Sequence, residues 1–432
     1  MIDMQPCLFD YQYIYTMRIF YFNKDNQSDP LTLLYNSGQR AELHTPSRSL
    51  NFPPEIVQRI LTFLPRTSLP NVACVNRLWN ALAMPILYRH IYIRTLPHWL
   101  SLVNAFSQPG FSAQYGPYVN SVVLLPSPQL VSSQLTSALN HRVIENDDIL
   151  QPSLRGYVRL ERVNFELTGL EMMEKPMQEH EEDGHHENFA EIDTTQKEAE
   201  WLSMVTDDQM CQLLRDCSQL EYLHLSGCER LSDEIIITLA RAKTLPHSRP
   251  VRGLWLSLLR NLTPHGITEM MRVEKELGLP KRLKHLDLGF QVLLTDEAIE
   301  SIVAYWGSSL THIRLNSIYH LSNYAIYAIS KCCPHLILLH LVRCWRMDNA
   351  ALYRLAHQCK KLRYVSVSFL SQSNEEGIKH LIHSCPDLVW LDITGSGINS
   401  LFKTVILDSW TNYRRQHHLP PVYIKDGTMN LL

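Results

Sequence analysis

One spacing recurs through the second half of the chain and restricts its fold more than any other feature. The pattern L-x-x-L-x-L, with some aliphatic replacements, occurs seven times, starting at Leu220, Val251, Leu283, Leu310, Leu336, Leu362 and Leu388. The last four copies start 26 residues apart. A period in the range of roughly 20–50 residues is typical of solenoids, because one such unit cannot enclose a core whereas stacked units can. We therefore expect an elongated stack of similar units.

Each copy predicts a strand followed by a helix. In the x-L-x-L part, alternate side chains face opposite sides of an extended chain. An apolar pattern at helical spacing follows, as in Ile299 to Ile302. Ser232, Thr295 and Ser322 stand where an N-cap is expected, directly before that pattern. Stacked copies would place a parallel sheet on the concave side and helices on the convex side.

The cysteines follow the same period. Cys333, Cys359 and Cys385 are each 26 residues apart among the ten cysteines of the chain. Disulfide frameworks belong to short secreted chains, so a regular cysteine in a long repeat predicts a small buried side chain used once per unit. Metal binding is the alternative, but the paired C-x-x-C spacing that it needs is absent from the sequence.

A second kind of unit precedes the repeats, in the stretch FPPEIVQRILTFLPRTSLPNVACVNRLWNALAMPILYRHI that begins at Phe52. Ile56, Ile60, Phe63 and Leu64 fall on one face of a helix, and Pro65 ends it. Two further short helical patterns follow. A three-helix unit of this size buries too little surface to be stable alone, so its apolar surplus predicts a partner protein.

This stretch resembles an F-box over about residues 50–94, with Phe52 where the family usually has Leu. The repeats, as in CPHLILLHLVRCWRMDNAALYRLAHQC, resemble leucine-rich repeats of the cysteine-containing variety over about 215–398. The order of the two modules is similar to that of F-box/leucine-rich-repeat proteins, among them proteins like the antagonist of mitotic exit. The resemblance implies an α/β fold with a short three-helix F-box followed by a leucine-rich-repeat solenoid.

The predicted division of the chain follows from these two modules. It comprises an N-terminal extension (1–48), the F-box (49–94), a linker with irregular repeat-like units (95–170), an acidic insertion expected to be disordered (171–206), the repeats (207–398) and a C-terminal cap (399–432).

The resemblance also implies partners. An F-box binds a Skp-type adaptor and, through it, a cullin, and the solenoid would hold an unknown client protein. The adaptor-binding residues carried over from the family are Phe52, Pro53, Ile56, Ile60, Leu64, Val75 and Trp79. An interface role is favoured for Phe52 and Pro53, whereas for Val75 and Trp79 the bundle core and the interface are equally open.

Client-binding residues are expected on the concave face, in the strand positions that point away from the helices. The candidates are Tyr222, His224, Trp255, Asp287, Arg314, His340, Tyr364, Ser366, Trp390 and Asp392. The alternative is an ordinary solvated sheet surface. The mixed charges of Asp287, Arg314 and Asp392 do not favour a nucleic-acid groove, and the histidines lack the carboxylate spacing of a metal site.

Composition excludes several functional classes. The formal net charge of −3 provides no basic field for nucleic acid, and the sequence has no apolar run of the roughly 18 residues that a membrane span needs. The first thirty residues lack the features of a secretory signal, so we expect a cytoplasmic or nuclear protein. Glycine-rich phosphate loops, nucleophile elbows and zinc signatures are absent from the sequence. The expected function is a non-catalytic, cofactor-free substrate-recognition subunit of an SCF-type cullin–RING ubiquitin ligase; the alternative is an interaction scaffold with no role in ubiquitination.

Overall fold

The architecture was obtained as a computed structural model, which describes residues 52–64, 68–125, 200–245, 247–397 and 403–425. The predicted N-terminal extension, the later part of the irregular repeat-like units and most of the acidic insertion lie outside these residues. Within the described residues the chain forms a helical unit followed by one parallel sheet covered by helices. The expected fold class is therefore confirmed.

The helical unit consists of α1 (Pro54–Phe63), α2 (Leu69–Ala73) and α3 (Arg77–Tyr88). Proline occupies the first turn of α1 and of α2, where no intrahelical N–H bond is lost. The side chain of Asn76 caps α3 by accepting a hydrogen bond from the backbone N–H of Trp79, at 3.0 Å. The fully buried side chains of this small core are Val57, Leu61, Leu69, Ala73 and Ala83.

Helix α3 belongs to both modules. Ala83 faces the small core, whereas Met84 and Tyr88 are buried in the main core of the solenoid. Leu87 is half-buried and packs against both cores. The next residues form the first strand of the sheet, so the two modules are joined without an intervening linker.

The solenoid alternates strands and helices. Its elements are β1 (His90–Ile93), α4 (Leu96–Phe106), α5 (Phe111–Tyr115), β2 (Ser121–Leu124), α6 (Asp207–Leu214), β3 (Tyr222–His224), α7 (Asp233–Ala242), β4 (Gly253–Trp255), α8 (Pro264–Glu276), β5 (His285–Asp287), α9 (Asp296–Trp306), β6 (His312–Arg314), α10 (Asn323–Cys332), β7 (Leu338–His340), α11 (Asn349–Gln358), β8 (Tyr364–Ser366), α12 (Glu375–Ser384), β9 (Trp390–Asp392), α13 (Lys403–Gln416) and β10 (Tyr423–Lys425). Single turns of 3-10 helix occupy Gly116–Tyr118 and Glu200–Met204.

The ten strands pair in chain order and all pairs are parallel. The register is the one that the repeat predicts: Leu223, Leu254 and Leu286 are direct neighbours across β3, β4 and β5. Strand β2, around Val122, lies in the segment predicted to hold irregular repeat-like units and is in register with β3. Strands β1 and β10, which extend the sheet at its two ends, were not predicted. The segment predicted as a linker with irregular units is described only as far as residue 125, and there it forms packed helices and a strand.

A turn with one left-handed residue follows strands β3 to β9. These residues have φ between 54° and 88° and are Gly227, Leu258, Phe290, Ser317, Arg343, Phe369 and Gly395. From Gly227 to Phe369, each donates its backbone N–H to a carbonyl of the next repeat, at 2.7–3.0 Å. The hydrogen-bond ladder therefore continues past the strands, and it holds non-glycine side chains in a conformation that they otherwise avoid.

The first-turn aspartates also connect neighbouring repeats. The carboxylate of Asp233 accepts hydrogen bonds from the backbone N–H and the hydroxyl of Thr263. Asp296 does the same for Ser322. Aspartates in the first turn are favourable charges at a helix N-terminus. These hydrogen bonds give them a second role, which is to fix each helix to the start of the next one.

The repeat cysteines are buried, as predicted from their period. Cys217, Cys333, Cys359 and Cys385 have no exposed surface, nor do Cys228 and Cys344. Burial raises the pKa of the Cys217 and Cys359 thiols to about 12 and that of Cys385 to about 11. All nine cysteines in the described part of the chain are free thiols.

The last repeat is covered by α13 and β10. Trp410 is buried in the solenoid core, and Ile406 is half-buried and packs against the same core. Val405, on the same helix, is exposed. Arg414 reaches under the end of the stack and donates hydrogen bonds to five backbone carbonyls, those of Ile382, Cys385, Pro386, Leu388 and Pro420.

Candidate protein-binding surfaces

A set of large apolar side chains lies on the surface of the three-helix unit. Their exposed fractions range from 37% to 77%, and the residues are Phe52, Ile56, Phe63, Val75 and Leu78. We call this set the F-box patch. Ile56, Ile60 and Phe63 fall at i, i+4 and i+7 and thus share one side of α1. Since only a few large apolar side chains are normally exposed together on a small unit, the patch is a candidate interaction surface.

The helical pattern of α1 was ambiguous in the sequence, and the structure resolves it. The face carrying Ile56 and Phe63 points outward, whereas Val57 and Leu61 form the core. An apolar residue at every third or fourth position cannot tell a core face from an interface when both faces of the helix are apolar. In α1, the face with the more regular apolar spacing, which carries Ile56 and Phe63, is the exposed one.

The predicted adaptor-binding residues divide into two groups. Phe52, Pro53, Ile56 and Val75 are exposed, and Ile60, Leu64 and Trp79 are half-buried. Leu64 and Trp79 pack against the small core and therefore support the patch rather than form its outer surface. Phe63 and Leu78 were not in the predicted set. The i+7 spacing from Ile56 was the signal for Phe63.

On the concave face, the strands bring the predicted client-binding residues into two rows. One row contains Tyr222, Tyr364 and Trp390, and the other contains His224, Trp255, Asp287, Arg314, His340, Ser366 and Asp392. The arrangement in rows is as predicted. Their expected exposure is not, because seven of these residues are buried: Tyr222, His224, Trp255, Arg314, His340, Ser366 and Asp392. Asp287, Tyr364 and Trp390 are half-buried.

The physical reason lies partly in contacts between neighbouring strands. The ring of Trp255 stacks on those of His224 and His285, with centroids 5.6 and 5.5 Å away. Its indole extends over Gly253, and the absence of a side chain there provides the space for the ring. Large flat side chains in adjacent rows thus cover one another. The prediction that these residues bind a client remains a prediction, but their burial reduces the surface that they can offer.

The buried imidazoles of this face are neutral at physiological pH. Burial, and then the charge of Arg314, lowers the pKa of His224 to about 3. The same two causes lower the pKa of His285 to about 3, with Lys284 adding to the effect. The pKa of His340 is also well below its ordinary value for these reasons. The charge of Arg314 thus contributes to all three shifts, and its Nη1 lies 4.0 Å from Oδ2 of Asp287.

The described residues show no arrangement suited to a metal site. Their His, Cys, Asp and Glu side chains include no cluster of three or more that could hold a metal ion. Nδ1 of His224 is buried and has no hydrogen-bond partner within the described part of the chain. None of the described helices is long and apolar enough to span a bilayer.

Comparisons with known proteins agree with the helical unit. The F-box-like family model matches residues 50–94, so the chain contains an F-box-like domain there. The rest of the chain lies outside that match, and none of the curated proteins matches the sequence. Among solved structures, a chain in the crystal structure of the Rad7 and Elc1 complex in yeast is similar with a TM-score of 0.38 and 16% identity, covering 80% of this chain and 90% of that one.

Proposed function

We propose that this protein is the substrate-recognition subunit of an SCF-type cullin–RING ubiquitin ligase. The F-box would dock on a Skp-type adaptor, and through it on a cullin, while the solenoid holds the client protein. The observation that supports the proposal most is the F-box patch: within residues matched by the F-box-like family, large apolar side chains are exposed rather than packed inward. Buried against an adaptor, each would contribute about 1.5–3 kcal/mol.

The mechanism requires no catalytic residue in this chain. The receptor would act by keeping client lysines close to a ubiquitin-charged conjugating enzyme, which raises their effective concentration. The joint between the modules suits this role, because Leu87 packs against both cores and no linker separates them. The ligase complex would work in the cytoplasm, in the nucleus or in both.

Adaptor binding tests the proposal directly. The full-length chain should co-purify with a Skp-type adaptor, and the double substitution Ile56→Asp with Phe63→Asp should abolish the interaction. Both side chains are exposed, so the change should leave folding intact. Leu100→Asp is a matched control, since Leu100 is an equally exposed leucine on α4, outside the F-box. Loss of adaptor binding in the control as well, or in neither variant, would contradict the proposed docking surface.

A second assay separates the receptor from a scaffold. The purified chain is combined with adaptor, cullin, RING subunit, E1, E2 and ubiquitin, and ubiquitin transfer to the receptor itself and to added candidate clients is measured. A receptor should support transfer that depends on the F-box patch. Adaptor binding without any transfer would favour the alternative, a non-catalytic scaffold with no role in ubiquitination.

A further inference from the structure

A second exposed apolar group lies on the edge of the solenoid. It consists of Val292, Leu293, Tyr319 and Trp345, in the loops that follow β5, β6 and β7, and we call it the rim patch. Tyr319 is 43% exposed and Trp345 49% exposed, and the two aliphatic residues are about equally accessible. These residues precede the convex helices and lie beyond the ends of the concave strands.

The rim patch is in register with the repeat. Val292, Tyr319 and Trp345 are separated by 27 and 26 residues, which are the intervals between β5, β6 and β7. The rings of Tyr319 and Trp345 stack with centroids 4.9 Å apart, close to the spacing of about 4.8 Å between neighbouring strands. Successive repeats thus present one continuous apolar strip.

The loops that carry the strip are held rigidly. Phe290, Ser317 and Arg343 are the left-handed residues of these turns, and each donates its N–H to the following repeat. A surface that is already ordered loses little conformational entropy when a ligand binds. The strip therefore has the properties of a preorganised binding surface.

Positive charge lies beside the strip. The guanidinium of Arg343 sits 5.3 Å from the ring centroid of Phe369, and Arg346 donates a hydrogen bond to a backbone carbonyl of the preceding loop. Within the described residues, neither arginine has a carboxylate within 4 Å. Nearer the F-box end of the same rim, Arg260 is already paired with Glu229 at 3.1 Å. The uncompensated charge thus adjoins the aromatic residues.

We propose that the rim patch binds an acidic protein segment that carries a large apolar side chain. The apolar residue would pack on Tyr319 and Trp345, while carboxylates pair with Arg343 and Arg346. A second copy of the chain is disfavoured, because a symmetric contact would bring the same arginines together. Nucleic acid is disfavoured as well, since Val292 and Leu293 provide no stacking platform and the arginines are few.

The segment would belong to the client, and in that respect the inference rests on the proposed function. The surface differs from the concave rows predicted from the sequence: its aromatic side chains are accessible, whereas those of Tyr222 and Trp255 are buried. Trp and Tyr are also the residue types that contribute most to binding at protein interfaces. The rim patch would thus supply the anchor of client recognition.

Fluorescence anisotropy with the full-length chain tests the inference. The probes are fluorescein-labelled twelve-residue peptides rich in Asp and Glu around a central Trp or Leu, with matched peptides in which Lys replaces the acids or Ala replaces the central residue. The variants are Tyr319→Ala with Trp345→Ala, and Arg343→Glu with Arg346→Glu. Tyr353→Ala is the control, because Tyr353 is an exposed aromatic residue on convex helix α11. Thermal melts establish that each variant is folded.

The acidic peptides with an apolar centre should bind, and the double alanine variant should weaken them by about 30-fold or more. Charge reversal should abolish binding, and Tyr353→Ala should leave it unchanged. Equal binding by all variants, or binding of none of the acidic peptides, would overturn the inference. Tighter binding of an oligothymidylate would assign the rim to nucleic acid instead. Adaptor co-purification in parallel separates the two proposals, since failure of peptide binding with intact adaptor binding removes only the rim site.

Discussion

Replacement of Arg414 by Met should release the C-terminal cap from the last repeat. The guanidinium donates to five carbonyls, and its bonds to Ile382, Cys385 and Leu388 are fully buried. Methionine retains much of the apolar stem but donates no hydrogen bond. The variant therefore leaves the buried carbonyls of Ile382 and Leu388 without this donor. The carbonyl of Cys385 still accepts the backbone N–H of Leu388, and water can replace the guanidinium at the other two.

The expected cost follows from the two carbonyls that lose their donor. An unsatisfied buried carbonyl costs about 1–3 kcal/mol, so the two together give roughly 2–6 kcal/mol. The lower half of that range is expected for two reasons: the charged group no longer has to be buried, and α13 can shift to admit water. Burial already lowers the pKa of Arg414, which shows that the charge is costly in this position. We predict a loss of about 2–4 kcal/mol in the local stability of the cap.

Hydrogen–deuterium exchange measured by mass spectrometry can resolve this loss, because a solenoid unfolds unit by unit from its ends. Exchange should accelerate in α12, α13 and β10 and remain unchanged near β3. Arg415→Met is the matched control. The side chain of Arg415 follows Arg414 on the same helix and is exposed, and among the described residues it donates a hydrogen bond only to Asn412. Protection factors for the two variants that agree within tenfold would refute the reasoning.

Three further predictions concern buried polar groups. The pKa of His224 is about 3 in the folded chain against 6.5 unfolded, so the unfolded state takes up the proton first and stability falls as pH drops from 7 to 5, by about 1–2 kcal/mol for this residue. Urea unfolding at several pH values should show a shallower fall for His224→Gln, but not for His357→Gln on the exposed side of α11. Replacement of Lys243 by Met removes the buried hydrogen bonds from its Nζ to the carbonyls of Ser218 and Leu220, of which Ser218 still accepts the N–H of Arg249. The expected cost is about 1–3 kcal/mol by denaturation, against little for the exposed Arg241→Met. In native protein at pH 8, alkylation followed by mass spectrometry should, among the nine cysteines of the described residues, modify Cys74, Cys211 and Cys332 first and spare the buried thiols Cys217, Cys228, Cys333, Cys344, Cys359 and Cys385.

The sequence predicted the solenoid well because its period specifies strand register directly. A residue such as Leu339 can have only one partner in each neighbouring strand once the repeats are aligned. The same alignment predicted the phase of the helices and the burial of the cysteines. Strand β10 escaped prediction because it follows a helix of different length and does not repeat the leucine pattern.

Solvent exposure was harder to predict than register. The pattern shows which side of a strand Trp255 occupies, but not that Gly253 opens space for its ring to lie across the sheet. For α1, the sequence did not distinguish the core residue Val57 from the surface residue Ile56, because both sides of the helix carry apolar residues at helical spacing. The rim patch could have been predicted from the sequence, because Tyr319 and Trp345 occupy the same aligned position of successive repeats, outside the leucine pattern.

The shared packing of Leu87 has a geometric consequence. With helix α3 wedged between two hydrophobic interiors, every later strand stands at a set displacement from the F-box, and the ten-stranded sheet spans about 43 Å along its inner arc. A client bound one repeat farther along the solenoid would lie about 5 Å farther from the F-box and would be rotated by the curvature of the stack. Under the proposed function, the position of the bound segment along the repeats would determine which client lysines come within reach, which a flexible linker would not do.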